Sequence, residues 1–92
     1  MNTILLVEDD TMIASGITYA LQMEGYEVCH ATTVTEAGSD IAKQKFDLAI
    51  LDMQLPDGIG SDLSDQLKSV HTSVIFLTVV DDENTIVKAF DE

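Results

Sequence analysis

Short apolar runs of strand length recur along the chain and alternate with longer, more polar stretches. Four such runs predict four β-strands, at Thr3–Val7, Tyr26–Ala31, Leu48–Leu51 and Ser73–Val80. The first and third runs are almost entirely apolar, which is typical of strands buried on both faces of a parallel sheet. The second run is more polar, so we expect it to lie near an edge of the sheet.

Signals for the starts and ends of helices fall between these strands. In the first helix, Ile13, Ile17 and Leu21 follow helical spacing and predict one buried stripe. Gly25 is placed to end that helix in a left-handed conformation. A second helix is predicted to end near Lys43 to Lys45. The predicted helix starts are Asp10 or Thr11, the capping box Thr33–Glu36, Ser61 or Asp62, and Asp81 or Asp82.

The predicted elements alternate as β-α-β-α-β-α-β-α with short connections. This alternation indicates an α/β fold with a mostly parallel sheet and right-handed crossovers. The most apolar early strands, the first and the third, should be neighbours at the centre of the sheet. The resulting order is 2-1-3-4, that of a flavodoxin-like doubly wound sheet. In such sheets the ligand site lies where the order reverses, here at the carboxyl ends of strands 1 and 3.

Acidic residues follow both of these strands. Glu8 and Asp9 end the first run, and Asp52 ends the third. Neighbouring parallel strands lie roughly 4.8 Å apart, so these carboxylates should converge and repel one another unless a cation neutralises them. Oxygen ligands of this kind suit Mg²⁺, and Thr78 would add a hydroxyl at the end of the fourth strand. These are the components of phosphoryl transfer to aspartate. Each acid taken alone could instead begin a loop or cap a helix.

Three motifs carry a resemblance to a known family. They are Leu5-Leu6-Val7-Glu8-Asp9-Asp10, Leu51-Asp52-Met53-Gln54-Leu55-Pro56-Asp57-Gly58 and Phe76-Leu77-Thr78. Together they resemble the receiver domain of a bacterial two-component response regulator, of the CheY-like superfamily. The resemblance extends from residue 3 to the last residue.

The resemblance implies a role for each matching residue. Asp52 would be the phosphoacceptor, and Thr78 the hydroxyl that turns toward the phosphoryl group. Mg²⁺ would be bound by Asp9 directly, by Asp52, by Glu8 through water and by the backbone carbonyl of Gln54. The phosphodonor would be a sensor histidine kinase, and the output a DNA-binding domain that regulates transcription in the cytoplasm. The chain would be a phosphoryl acceptor that catalyses its own phosphorylation and dephosphorylation, and not a conventional enzyme.

The sequence departs from the family pattern in three ways. It stops at Glu92, before the fifth strand and helix, so a receiver domain over residues 1–92 should be C-terminally incomplete. None of its four lysines lies at a strand end, where the family has a cationic partner for the acceptor. Val79 replaces a residue that is usually small, and the connection from Asp52 to Thr78 is short. An uncovered fourth strand should make the chain weakly stable, dimeric or prone to exchange segments.

The charge balance narrows the choice of partners. The chain has 17 acidic residues against 4 lysines and no arginine, for a net charge of −13. This segment should therefore attract cations and basic surfaces and should not bind nucleic acid itself. The single cysteine, Cys29, permits no internal disulfide and fits a reducing cytosol. No signal peptide or run of transmembrane length is visible.

Two other classes of function share the predicted fold. A phosphorylation-independent interaction module is favoured by the missing lysine and by Val79. A flavin or nucleotide carrier has the same topology, but the acids after the first strand would repel a phosphate. Gly58-Ile59-Gly60 follows the third strand and lacks the last glycine of a dinucleotide-binding motif. We interpret His30 and His71 as surface or structural residues distant from Asp52.

Overall fold

A sheet of four parallel strands forms the centre of the computed structural model, which describes residues 2–52, 54–55, 58–59 and 63–77. Within these residues the strands are β1 (Thr3–Val7), β2 (Glu27–Ala31), β3 (Leu48–Asp52), β4 (Gln54–Leu55), β5 (Gly58–Ile59) and β6 (Ser73–Leu77). The main sheet has the order β2-β1-β3-β6, and β4 and β5 form a separate antiparallel pair. Since β6 is the fourth predicted strand, the predicted order and the edge position of the second strand are confirmed.

The β1 strand is buried on both faces, as its apolar run predicts. In the part of the chain that the structure describes, the helices are α1 (Thr11–Met23), α2 (Val34–Lys43) and α3 (Ser64–Ser69). Leu5 and Val7 belong to the apolar core shared with α2 and α3, whereas Ile4 and Leu6 belong to the core shared with α1. Helices on both faces leave only the strand ends of this central strand open to solvent.

Local side-chain chemistry sets both ends of α1. The Asp10 carboxylate accepts from the backbone N–H groups of Met12 and Ile13, at 2.9 and 3.1 Å. At the other end Gly25 has φ +92°, a conformation that glycine adopts without strain. The Tyr26 N–H donates to the Leu21 carbonyl at 3.1 Å and so completes the helix end. Tyr26 was predicted to begin the second strand, which in fact begins at Glu27.

The two residues of the predicted capping box, Thr33 and Glu36, both accept hydrogen bonds at the start of α2. Thr33 Oγ1 accepts from the Glu36 N–H at 3.0 Å, and Glu36 Oε1 accepts from the Thr32 N–H at 3.3 Å. The helix ends at Lys43, as predicted. Cys29, on the edge strand β2, is half-buried, and its Sγ lies 3.6 Å from Asp40 Oδ2.

Several predictions fall on residues outside the described part of the chain. The proposed caps Ser61 and Asp62 are among them, and α3 begins after Leu63 without a side-chain cap. Thr78, Val79 and the whole predicted last helix also lie outside it. Within the described ranges, the helices are too short or too polar to cross a membrane.

Candidate functional site

Three carboxylates lie side by side at the carboxyl ends of β1 and β3. Val7, the last residue of β1, pairs with Leu51, and Asp52 ends β3 one residue later. Glu8 and Asp9 continue directly from β1. One side-chain oxygen each from Glu8, Asp9 and Asp52 lies within 4.8 Å of the other two. The order of the two central strands is therefore what brings these acids together.

The three acids differ in their exposure to solvent. Glu8 is only 4% exposed, Asp52 is half-buried and Asp9 is exposed. The cluster thus has a buried floor at Glu8 and opens to solvent at Asp9. Two acids that are adjacent in the sequence therefore differ sharply in their exposure to solvent.

Burial changes the protonation of Glu8. Loss of solvent around its carboxyl, together with a hydrogen bond to Asp52 and the negative charge of Asp52, raises the pKa of Glu8 to about 8. The charge of Asp9 acts in the same direction, while the backbone N–H of Asp10, 3.3 Å from Glu8 Oε1, opposes it. In the metal-free chain, Glu8 therefore holds a proton at neutral pH.

The residues that precede α1 are held by the edge strand β2. The Glu8 N–H donates to the Ala31 carbonyl at 3.0 Å. The Nε2 of His30 lies 2.7 Å from the Glu8 carbonyl oxygen. His30 was interpreted only as a surface or structural residue, so its contact with a site residue was missed. The position of His30 near the end of a strand beside β1 is the one signal in the sequence that pointed there.

The donor set fits a hard divalent cation. Mg²⁺ takes oxygen ligands, typically one or two carboxylates together with water. A buried carboxyl, a half-buried one and an exposed one within 4.8 Å offer such ligands and leave room for water on the Asp9 side. Gln54 begins β4 two residues after Asp52, and the role of its carbonyl remains a prediction. Thr78 lies outside the described residues, but Leu77, which precedes it, pairs with Asp52.

His71 lies at the other end of the sheet. It precedes β6, is exposed and has φ +60°. Its position near the amino end of β6 keeps it away from the three carboxylates, which lie at the carboxyl ends of β1 and β3. Among the described residues, the group that could hold a metal comprises carboxylates alone.

Comparisons with known proteins agree with this geometry. A family model described as the response regulator receiver domain matches residues 4–92. The transcriptional regulatory protein CrdR of Helicobacter pylori is 33% identical over 91 residues, which cover 96% of this chain and 43% of CrdR. The chain thus spans less than half the length of this curated relative.

Solved structures show the same fold. The non-phosphorylated HemR receiver domain of Leptospira biflexa is 36% identical with a TM-score of 0.79, over 86% of this chain and 65% of that one. The response regulator TrrA of Thermotoga maritima, solved in complex with Mg²⁺–BeF, is 30% identical with a TM-score of 0.80, over 88% of this chain and 72% of that one. With the family match over nearly its whole length, the chain belongs to the receiver domains of two-component response regulators.

Proposed function

We propose that residues 1–92 act as one receiver domain in which Asp52 accepts a phosphoryl group from a sensor histidine kinase. The observation that carries the proposal is the convergence of Glu8, Asp9 and Asp52 within 4.8 Å at the carboxyl ends of the two central strands. Mg²⁺ would be held by these acids and by the backbone carbonyl of Gln54. When bound, it supplies positive charge that offsets the carboxylates and the phosphoryl oxygens. The Mg²⁺–BeF complex of the related TrrA supports this choice of metal.

Asp52 is the acid best suited to be the acceptor. Glu8 is buried and holds a proton at neutral pH, which makes it a poor nucleophile. Asp9 is exposed on the connection between β1 and α1. Asp52 is half-buried at the end of β3, so the strand fixes its position while one side stays open. In the transfer, an Asp52 oxygen attacks the phosphorus and the bond from phosphorus to the kinase histidine nitrogen breaks.

The response to phosphorylation is proposed to pass through Thr78. Leu77 is paired with Asp52 across β3 and β6, and Thr78 is the next residue in the chain. A hydroxyl at this position can donate a hydrogen bond to the oxygens of a phosphorylated Asp52. The receiver would accept the phosphoryl group, and catalyse its own phosphorylation and dephosphorylation, without acting as a conventional enzyme.

The output belongs to a longer protein in this proposal. CrdR is a transcriptional regulatory protein, and we infer that phosphorylation of the present receiver controls a DNA-binding output in the cytoplasm. The receiver segment itself, with a net charge of −13, is poorly suited to bind nucleic acid. Its partners would be the kinase and the output domain.

The edge of the sheet suggests a second partner. β6 is hydrogen-bonded to β3 along one side, and within the described residues no strand covers its other side. We propose that two copies of the 92-residue chain pair or exchange segments along β6. Light scattering coupled to gel filtration should show a mass that rises with protein concentration. A monomer at every concentration would contradict this pairing.

Acetyl phosphate is a small phosphodonor that tests the acceptor directly. With acetyl phosphate and MgCl₂, intact-mass spectrometry should show the addition of one phosphoryl group, and EDTA should prevent it. Asp52→Asn should abolish the addition because the nucleophilic oxygen is lost. Asp65→Asn, which changes an exposed acid on α3, is the matched control and should behave as the unmodified chain does. The proposal fails if the unmodified chain gains no phosphoryl group, or if Asp52→Asn gains one.

A further inference from the structure

The peptide group between Glu8 and Asp9 is held by strand β2. The backbone N–H of Glu8 continues the sheet through its bond to the Ala31 carbonyl, at 3.0 Å. The Glu8 carbonyl, in contrast, meets a side chain, the Nε2 of His30, at 2.7 Å. A carbonyl oxygen only accepts hydrogen bonds, so the Nε2 of His30 must carry a proton and donate it.

The hydrogen bond from His30 fixes the orientation of the backbone between Glu8 and Asp9. The Glu8 carbonyl belongs to the same planar peptide group as the Asp9 nitrogen. Its orientation therefore sets where the Asp9 Cα lies relative to Glu8. The next anchor is Asp10, whose N–H donates to Glu8 Oε1 and whose carboxylate caps α1. Asp9 thus lies between two fixed points, and His30 provides the first of them.

The surrounding structure holds the His30 side chain in position. It pairs with Leu6 in the register of β1 and β2, one residue before the end of β2. Its half-buried ring lines an open groove of about 270 Å³ between β2 and α1, together with Ala14, Ser15 and Thr18. A side chain on a strand, packed beside a helix, holds its donor in place better than one on a loop.

We propose that His30 is a positioning residue of the receiver site: its hydrogen bond to the Glu8 carbonyl orients Asp9 for Mg²⁺ binding. This inference rests on the proposed function, because it assumes that Glu8 and Asp9 hold the metal. Partners of this kind, one step removed from the ion, commonly change metal affinity by roughly 10- to 100-fold when they are lost. Because the contact here is to the backbone, we expect the lower end of that range.

Three substitutions separate the donated hydrogen bond from the bulk of the ring. His30→Ala removes both. His30→Gln places an amide N–H near the position of Nε2, whereas the shorter side chain of His30→Asn cannot reach it. Ser15→Ala is the matched control, since Ser15 lines the same groove and its side chain makes none of the contacts described for the Glu8 peptide.

The measurement is a titration of each ¹⁵N-labelled 92-residue variant with MgCl₂, followed by NMR through the amide signals of Asp9 and Asp10. We expect His30→Ala and His30→Asn to bind Mg²⁺ roughly tenfold more weakly than the unmodified chain, and His30→Gln to recover most of the loss. Phosphorylation by acetyl phosphate at saturating MgCl₂ should change less than the affinity does. Ser15→Ala should match the unmodified chain in both readouts.

The outcomes distinguish this inference from the proposed function. If the unmodified chain binds Mg²⁺ and His30→Ala binds it equally well, then water in the groove replaces the imidazole and the positioning role is wrong. The positioning role is also wrong if His30→Gln binds Mg²⁺ no better than His30→Asn does. This second comparison still tests the role of His30 if His30→Ala does not fold. If the unmodified chain shows no response to MgCl₂, the metal site itself is wrong, and the role of His30 is overturned with it.

Discussion

Replacing Glu8 by glutamine should remove a pH-dependent loss of stability from the metal-free chain. In the unfolded chain Glu8 releases its proton near its ordinary pKa of 4.5, whereas in the folded chain burial and Asp52 raise that pKa to about 8. The folded chain therefore binds more protons than the unfolded chain between these values. Because of this, the free energy of unfolding falls as pH rises from about 4.5 through about 8, and the loss is complete above that range.

The size of the effect follows from the width of the pH interval. A difference of one bound proton changes the free energy of unfolding by about 1.4 kcal/mol per pH unit. The interval between 4.5 and about 8 thus sets an upper limit of about 5 kcal/mol on the loss. Small domains are stable by roughly 5–15 kcal/mol in total, so even half of this loss is readily measured.

Urea unfolding in EDTA at pH 5, 6.5 and 8, followed by circular dichroism, provides the assay. Glu8→Gln keeps the size and a hydrogen-bond donor for Asp52 but cannot ionise. The two proteins should be similarly stable at pH 5, and the variant should be more stable by a few kcal/mol at pH 8. MgCl₂ should stabilise the unmodified chain most at pH 8. Glu27→Gln, at an exposed site on β2, should follow the unmodified chain.

A constant difference between Glu8→Gln and the unmodified chain across this range would refute the reasoning. It would mean that Glu8 is already ionised in the fold at pH 5, and that its burial is offset by contacts stronger than those with Asp52 and Asp10. Changes in the free energy of unfolding that come from the ionisation of other acids do not affect this comparison, because they are common to both proteins.

Substitutions at four other residues can be measured by the same urea unfolding. Asp52→Asn should lower the pKa of Glu8 by removing the neighbouring charge, so the free energy of unfolding of this variant should fall less between pH 5 and 8 than that of the unmodified chain. An equal fall in both proteins would argue against an effect of Asp52 on Glu8. Asp10→Ala should lose about 1 kcal/mol because two N–H groups at the start of α1 lose their acceptor, and Asp10→Asn should retain most of it. Gly25→Ala should destabilise by about 1–2 kcal/mol because of its φ of +92°, and equal stability would refute that strain. Gly16→Ala, with nothing within 4 Å of an added Cβ, should instead stabilise α1 by up to about 1 kcal/mol.

The features that sequence reasoning predicted well depend on neighbours in the chain or on a strong apolar pattern. Asp10 and Thr33 contact backbone groups only two or three residues away, and Gly25 sets the local backbone conformation, so their signals are local. The strand order followed from the fact that β1 and β3 have the least polar sequences. Once these two strands are adjacent, Glu8 and Asp52 must lie at the same edge.

The features that were missed depend on distant residues or on very short segments. β4 and β5 have two residues each, too few for any periodicity to be seen. The bond from His30 to the Glu8 carbonyl requires both the exact pairing of β1 with β2 and one particular side-chain conformation. The start of the second strand was misplaced by one residue because Tyr26 closes α1 through a backbone hydrogen bond that its side chain does not reveal.

The unequal burial of Glu8 and Asp9 connects the stability of the fold to its proposed chemistry. A cation that uses all three carboxylates must displace the proton that Glu8 holds, since an ionised carboxylate is the better ligand. Metal binding and deprotonation of Glu8 are therefore linked, and affinity for Mg²⁺ should rise as pH approaches about 8. The same substitution, Glu8→Gln, would raise the stability of the metal-free chain and lower its affinity for the metal. An ionised acid at this buried position is unfavourable for folding alone, and under the proposed function a bound cation would offset that cost.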